Sequence, residues 1–504
     1  MSLYENLRLD HGLGKNSSDS FGLGRLVAVM VLAVSLVFVV FCGQSANCQT
    51  AHASSVPSPS LIVPPMVPEK SVSTYLPSES APGTGIAVNV IFPKYPRYIE
   101  GAPVVVVVPG NGVASGLEFS MHASQAGFAE VRFAFPGGGT KGFASGGIYD
   151  NRGLQSQVAL KDVLLFAAGK KADVKGRFIK DLLKTVKVPL YNKTIGLVGW
   201  SNGGNILLVT LAKYANDLKF VGWLAFYESP LGELFMPGNL GSTADFSINK
   251  HYRQGSCATG TCLVDYRKLC WQAQGIKNPG SHKKAGEPEI EGVLFFDENK
   301  NKVWDEGSEY ALAYTTDIGL DKQIYAPDIL KACRRWYVFG SNWPETICTL
   351  EEAQAFYHER DGSKHIKEVC EKLPELMVTI YGSRIDHYQR QPDHPHIALA
   401  YNAFSAGKLK FLRLNPDPWY VNQISDLHSG NFANNKPGAA IDADDIDSNL
   451  EGEGLLPDYV YIDACIAELS DRKKAKNYSP NLAAPITIYT NGAKSPAPAK
   501  KTEK

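Results

Sequence analysis

Residues 197–204, Leu-Val-Gly-Trp-Ser-Asn-Gly-Gly, constrain the fold more than any other stretch of this chain. They set Ser201 between two glycines as G-x-S-x-G. An apolar run, 194–198, precedes the motif, and a run with helical spacing, 205–214, follows it. A strand, a sharp turn and a helix in this order predict a serine held at the carboxyl end of a buried strand. The alternative is an ordinary Gly/Ser turn in which the serine only caps the helix.

The rest of the chain alternates between strand and helix patterns. The β-branched run 103–109 is typical of a strand that is buried on both faces of a parallel sheet. Further strands are predicted at 86–92, 129–135, 219–227, 376–381 and 409–414, and helices at 117–126, 155–168, 327–335, 349–373, 395–405 and 458–476. This alternation predicts a doubly wound, mostly parallel α/β sheet. The long acidic segment 415–450 is predicted to be a loop.

Composition limits the domain organisation and the class of partner. Lys+Arg and Asp+Glu both number 51 among 504 residues, so the basic face typical of nucleic-acid binders is not expected. One large domain, 85–480, is predicted, with an insertion at about 235–370 that lacks clear periodicity. Clustered cysteines in and around it favour disulfides whose pairing stays open: Cys257, Cys262, Cys270, Cys333, Cys348 and Cys370. The tail, 493–504, is disordered by composition.

The N-terminal segment, 1–53, indicates export. Residues 26–42 are almost all apolar, Arg25 precedes them, and an Ala-His-Ala cleavage pattern follows at 51–53. A cleaved signal peptide and an uncleaved membrane anchor both remain open. A Pro/Ser-rich linker is predicted at 54–84. The expected location is secreted, periplasmic or at the cell surface, with membrane contact only through 26–42.

These features together resemble the α/β-hydrolase superfamily, without identifying a family in it. The resemblance rests on the 104–108 strand with its glycine-rich exit, on the motif around Ser201, and on the chain order Ser, Asp, His. It implies a serine esterase-like site with Ser201 as nucleophile and Asp386 as the acid, since Asp386 follows a buried strand. Asp393 is a weaker rival, because it suits the N-cap of the next helix.

The general base and the second oxyanion donor each have more than one candidate. His428 follows the last predicted strand, as the resemblance implies, whereas His396 and His387 are closer to Asp386 in sequence. The backbone N–H of Asn202 would supply one oxyanion donor. The second would come from Asn111 or Gly112, in a Pro-Gly-Asn-Gly loop that differs from the HGGG loop of lipase-like members.

Segment 297–309, inside the insertion, resembles an EF-hand calcium loop. The oxygen-bearing side chains at positions 1, 3, 5 and 9 are Asp297, Asn299, Asn301 and Asp305. Position 7 would contribute its backbone carbonyl. Lys302 stands where glycine is expected, and the last acid, Glu309, comes one residue late. A calcium ion here would be structural, and a polar hairpin turn is the alternative.

The sequence therefore predicts an exported serine hydrolase that cleaves a carboxylic ester through a Ser-His-Asp triad and an acyl-enzyme. No cofactor is expected for catalysis. The substrate would be a small-molecule or polymer ester, and no nucleic-acid partner is expected. A peptidase or amidase on the same fold is one alternative. A non-catalytic cell-envelope binding protein with the same fold is the other. The substrate stays open: an apolar or sugar-binding cleft could be lined by tryptophans, whose alternative is core packing, namely Trp200, Trp271, Trp336 and Trp343.

Overall fold

The computed structural model describes the chain from Lys70 to Ser479 with gaps. The described residues are 70–110, 114–182, 189–232, 239, 241–242, 247–253, 256, 263–273, 292–316, 320, 322–382, 395–429 and 458–479. The predicted signal or anchor segment, the tail and the acidic run after 429 lie outside these ranges. Among the described helices, none is both long and apolar enough to cross a membrane.

An eight-stranded sheet forms the centre of the molecule. Its strands are β1 (Lys70–Leu76), β2 (Ile86–Phe92), β3 (Ala102–Val108), β4 (Ala129–Phe133), β5 (Leu190–Trp200), β6 (Val221–Tyr227), β7 (Met377–Tyr381) and β8 (Phe411–Leu414). They lie in the order β1-β2-β4-β3-β5-β6-β7-β8. Strand β2 is antiparallel to both of its neighbours, and the pairs from β4 onwards are parallel. The mostly parallel sheet predicted from the sequence is confirmed.

Strand β1 lies inside the segment predicted as a linker, 54–84, which is a correction. Lys70 pairs with Phe92 and Leu76 with Ile86, so the segment extends the sheet at its edge. Only the last residues of β1 are buried, because an edge strand covers little of the core. Its polar, serine-containing sequence therefore lacks the continuous apolar run that marks the central strands.

Nine helices flank the sheet or lie in the insertion, counting the described residues alone. They are α1 (Leu154–Ala167), α2 (Ile179–Leu182), α3 (Gly203–Tyr214), α4 (Pro327–Arg335), α5 (Leu350–Arg360), α6 (Ile366–Lys372), α7 (Pro395–Ala406), α8 (Pro418–Ser429) and α9 (Asp458–Ala475). Helices α1, α3, α6 and α7 pack on one face of the sheet, and α8 and α9 pack on the other.

Three predicted segments differ from the structure. Residues 117–126 form turns instead of a helix, because the buried Glu130 carboxylate accepts the backbone N–H groups of Met121 and Ala123. The predicted helix 349–373 is broken at Asp361, whose side chain accepts the Ser363 N–H and starts a 3₁₀ turn. The predicted loop 415–450 begins with helix α8, whose first turn is capped by Asp417.

The insertion has an apolar core of its own, and we call residues 241–360 the cap. Three two-stranded sheets and helices α4 and α5 contribute to it; the strand pairs are Gly241–Ser242 with Ser247–Ile248, Leu269–Gln272 with Val293–Phe296, and Thr315–Thr316 with Gln323–Ile324. A contiguous cluster runs from Tyr252 to Tyr357 and includes Phe296, Tyr325 and Phe356. The cap therefore buries apolar side chains independently of the main sheet.

The prediction of a disulfide-rich insertion is wrong for the cysteines that the structure describes. Each of these five is a free thiol: Cys270, Cys333, Cys348, Cys370 and Cys465. Cys333 and Cys348 are packed as small apolar side chains in the cap core, and burial raises the pKa of Cys348 to about 12. Cys257 and Cys262 lie outside the described residues.

Candidate active site

Ser201 occupies a sharp turn between strand β5 and helix α3. Its φ of +47° lies in the left-handed region, which a non-glycine residue rarely adopts. Its N–H donates to the Tyr227 carbonyl at 2.8 Å, and its carbonyl accepts the Gly204 N–H at 3.1 Å. These bonds tie the turn to the end of β6 and to the first turn of α3. Such strain persists only where surrounding structure enforces it, and it commonly marks functional positions.

The glycines two residues before and after Ser201 are required by close packing. A Cβ on Gly199 would lie 2.7 Å from the Gly204 Cα. A Cβ on Gly203 would lie only 2.2 Å from the carbonyl oxygen of Val108, at the end of β3. The interpretation of the sequence, that these positions cannot hold side chains, is confirmed. Together with the strand order, this turn decides the fold.

The chain has an α/β-hydrolase fold. In this fold the strained serine sits at the nucleophile elbow, where its Oγ projects above the carboxyl edge of the sheet. Ser201 is partly exposed, which leaves it open to a ligand. Its Oγ makes no hydrogen bond with any part of the chain that the structure describes.

The predicted oxyanion donor Asn202 follows Ser201 directly. It is 8% exposed, and within the described ranges its backbone N–H donates to no acceptor. The Asn202 side chain is held away from that N–H, because its Oδ1 accepts a hydrogen bond from Asn205 Nδ2 at 3.2 Å. An unsatisfied N–H beside a nucleophile can stabilise an oxyanion. The other predicted donors, Asn111 and Gly112, lie outside the described residues.

Gly110, which ends the described part of the β3 exit loop, lies against Ser201. A Cβ built on Gly110 would come within 2.9 Å of the Ser201 Cβ and of the Trp200 carbonyl oxygen. The loop predicted to supply the second oxyanion donor therefore begins beside Ser201, and the donor itself stays a prediction.

The predicted acid and base are not placed by the described residues. Strand β7 ends at Tyr381 and the Gly382 N–H donates to Asn415 Oδ1 at 3.1 Å, but Asp386 and His387 lie beyond that point, outside the described ranges. His396 and His428 lie in α7 and α8, and their side chains are not described. The histidine–aspartate pair therefore stays a prediction.

A row of aromatic rings lies beside Ser201, and the sequence pointed to only one of them, Trp200. Trp200 packs against Phe119 at a ring distance of 4.7 Å and against Tyr227 at 5.6 Å. Tyr227 contacts Tyr381 at 5.6 Å, and Tyr381 stacks on Tyr461 of α9 at 5.9 Å. Tyr227 and Tyr381 are the last residues of β6 and β7. An aromatic residue at the end of each predicted strand was the sequence signal that could have indicated these rings. Tyr227, Tyr381 and Tyr461 are buried, so these three rings belong to the core between the sheet and helices α8 and α9.

The predicted calcium residues lie together in one tight turn of the cap. Asp297 accepts backbone N–H groups from Asn301 and Lys302, and Asn301 Oδ1 accepts the Val303 N–H at 2.7 Å. Lys302 has a φ of +63°, the conformation for which glycine is expected at this position. Across the described residues, no three or more His, Cys, Asp or Glu side chains are grouped to hold a metal ion. Calcium binding therefore stays a prediction.

Comparisons with known proteins give no close relative. No family model and no curated protein sequence matches the chain. Solved structures that resemble it include carboxyl esterase 2 from the fungus Tuber melanosporum (8% identity, 75% of this chain and 86% of that chain, TM-score 0.33). An esterase B from Lactobacillus rhamnosis (11%, 79% and 85%, 0.32) and an acylaminoacyl peptidase from Pyrococcus horikoshii (13%, 69% and 37%, 0.30) are also similar.

Proposed function

We propose that this chain is a serine hydrolase that cleaves a carboxylic ester, with Ser201 as the nucleophile. The observation that carries the proposal is the strained, partly exposed serine at the elbow, next to the Asn202 N–H that donates to no described acceptor. The elbow sets a serine hydroxyl beside a backbone N–H, which is the arrangement that a nucleophile and an oxyanion donor need for acyl transfer.

The proposed reaction has two steps. Ser201 Oγ attacks the acyl carbon while a histidine, His428 in our assignment, accepts the hydroxyl proton and Asp386 orients the imidazole. The negative charge on the carbonyl oxygen is held by the Asn202 N–H and by a donor from the loop at Asn111 or Gly112. The alcohol leaves with the proton from the histidine. A water molecule then attacks the acyl-enzyme by the same route and releases the acid.

An ester is proposed in preference to an amide because of the leaving group. An alcohol leaves the tetrahedral intermediate more readily than an amine, which must be protonated as it departs. Trp200, which is partly exposed next to Ser201, could contact an apolar acyl or alcohol group.

A fluorophosphonate probe and p-nitrophenyl esters test the proposal on the full-length protein. We expect the probe to label Ser201, and Ser201→Ala to lose both the labelling and the ester turnover. Ser308→Ala is the matched control, because Ser308 is an exposed serine of the cap. Wild-type protein that is not labelled, or Ser201→Ala protein with full turnover, would refute the assignment.

The triad and the ester preference need separate variants. His428→Ala and Asp386→Ala should each lower kcat by orders of magnitude, since the serine loses its base or the base its orientation. His396→Ala and His387→Ala are the comparison, and a larger loss in either would move the base to that residue. Hydrolysis of p-nitroanilides at a rate equal to p-nitrophenyl esters would favour the amidase alternative. Export through 1–53 stays a prediction, because that segment lies outside the described residues.

A further inference from the structure

Arg152 is a fully buried arginine just before the N-terminus of helix α1. It is 1% exposed, and its φ of +66° lies in the left-handed region, as does the φ of +51° at Asn151. The guanidinium lies over the Phe135 ring at 4.2 Å, and its Nε donates to the Tyr149 hydroxyl at 3.0 Å. Burial raises the pKa of Tyr149, although Arg152 opposes the rise, so this hydroxyl stays neutral. Two consecutive left-handed residues show that the chain bends here at a cost in backbone energy.

The bend carries the guanidinium to the loop beside the nucleophile. Arg152 Nη2 donates to the Gly110 carbonyl at 2.6 Å. A hydrogen bond from a buried charge to a carbonyl is among the stronger ones in proteins. This bond fixes the direction of the Gly110 carbonyl, at the point where the described part of the β3 exit loop ends. Gly110 itself has no room to move towards Ser201, since even a Cβ there would come within 2.9 Å of the Ser201 Cβ.

The bend is also fastened to the cap. Arg360, the last residue of α5, donates from Nε to the Asn151 carbonyl at 2.8 Å and from Nη2 to the Asp150 carbonyl at 3.0 Å. Gly153 leaves space for it, because a Cβ there would lie 2.6 Å from Arg360 Nη2. Arg360 is 5% exposed and lies over the Phe356 ring at 3.9 Å, so its position is set by the cap core.

We infer that Arg152 is a positioning residue that holds the Gly110 loop in register with Ser201, and that the cap holds Arg152 in place through Arg360. The contacts form one continuous route: Phe356, Arg360, Asn151, Arg152, Gly110 and Ser201. The docking of the cap is thereby coupled to the position of the Gly110 loop. This inference rests on the proposed hydrolase activity of Ser201, whose own test is separate.

Steady-state kinetics of Arg152→Met in the full-length protein test the first part. Loss of the Gly110 hydrogen bond should lower kcat about 10–100-fold with KM changed less than about threefold, because misplacing a donor acts on the transition state. Arg152→Lys should keep part of the activity, since lysine can reach one carbonyl but cannot also serve Tyr149 through a second nitrogen. Millimolar guanidinium should restore part of the kcat of Arg152→Ala.

Arg97→Met is the matched control, because Arg97 is also a buried arginine but contacts α9 instead of the elbow. It should lose stability without a fall in kcat for the folded fraction. Arg97→Ala is the control for the rescue, and guanidinium should not raise its kcat. Arg360→Met tests the second part. We expect a fall in kcat in the same direction as Arg152→Met but smaller, and no further fall when the two are combined.

Each outcome separates the two proposals. If wild-type protein fails to label at Ser201, the hydrolase assignment is lost. If wild type turns over and Arg152→Met keeps its kcat, or if guanidinium rescues Arg97→Ala as well as it rescues Arg152→Ala, the positioning role of Arg152 is refuted while the hydrolase stands. Fully additive losses for Arg152→Met and Arg360→Met would refute the route through the cap.

Discussion

Gly203 of helix α3 lies directly beneath the end of strand β3, so that a Cβ on it would stand 2.2 Å from the Val108 carbonyl oxygen. This contact joins the helix that follows the nucleophile to the strand that leads into the Gly110 loop. The backbone of the elbow therefore packs directly against the backbone at the end of β3. No flexible side chain lies between them that could move to accommodate an added atom.

The variant Gly203→Ala should consequently lose stability. The added methyl group would meet the backbone of Val108 and Pro109, so we expect a loss of at least about 2 kcal/mol in the free energy of unfolding, measured with urea. Gly222→Ala in β6 is the control, because its nearest neighbours include the flexible Lys473 side chain at 3.1 Å, and it should cost less than about 1 kcal/mol. Equal losses in the two variants would contradict the close packing.

Gly110→Ala should act on activity more than on stability. Its added Cβ would meet Ser201 and Trp200, and the loop can relieve this contact by moving away from the nucleophile. We expect the rate of fluorophosphonate labelling and kcat to fall about 10–100-fold, because an oxyanion donor displaced by an ångström loses most of its effect. The rate constant for labelling, corrected for the folded fraction, is the measurement. A variant that labels at the wild-type rate would separate the loop from the site.

Sequence patterns predicted the sheet because its central strands are buried on both faces, as in the uninterrupted run that became β3. They failed where local side chains or edge positions decide the structure. Strand β1 has a polar exposed end. The turns at 117–126 form because the carboxylate of Glu130, which follows this segment in β4, accepts two of their N–H groups. Helix α8 was missed although Asp417 and Pro418 form an ordinary helix start.

In the candidate site, too, the local motif was recognised from the sequence and the contact between distant residues was not. Ser201 and its glycines were recognised because a short motif holds all the atoms of the turn. Arg152 was not, since its role depends on a bend at Asn151 and on Gly110, forty-two residues away in sequence. Clustered cysteines suggested disulfides, but Cys333 and Cys348 are buried thiols, because the apolar core of the cap surrounds them.

Arg97 and Asp471 should contribute strongly to the attachment of α9. The guanidinium donates from Nε and Nη2 to the two carboxylate oxygens at 2.8 and 2.9 Å, and Arg97 is 0% exposed. Arg97→Met leaves the Asp471 carboxylate without its cation, so we expect a loss of about 3–5 kcal/mol in the free energy of unfolding. The double variant Arg97→Met, Asp471→Leu should recover part of that loss. A double variant as unstable as the sum of the single ones would contradict a direct coupling.

The buried thiols should be unreactive in the native protein. Burial raises the pKa of Cys370 to about 11 and that of Cys348 to about 12, so neither is a thiolate at pH 8. Iodoacetamide at pH 8 should leave both unmodified in the folded protein, as read by peptide mass spectrometry. After unfolding in denaturant without any reductant, both should react completely. Alkylation that requires a reductant would restore the disulfide interpretation.

The turn at 297–309 makes calcium binding testable without an activity assay. Asp297 and Asn301 place side-chain oxygens on the inside of the turn, where they accept backbone N–H groups, and the buried Glu309 carboxylate accepts the Glu298 and Asp305 N–H groups. A cation in the turn would bind only the folded cap, so calcium at 100 times Kd should raise the free energy of unfolding by about 2.7 kcal/mol.

Thermal unfolding of the full-length protein in calcium, magnesium and chelator measures this effect. We expect calcium alone to raise Tm and Asp297→Asn to abolish the increase, because the pattern requires a carboxylate at its first position. Glu306→Gln removes an exposed charge from the same turn at a position outside the pattern, and it should keep the calcium response. An equal Tm increase in Asp297→Asn, or no increase in wild type, would contradict calcium binding. The turn would then be a polar hairpin whose asparagine side chains bond only to its own backbone.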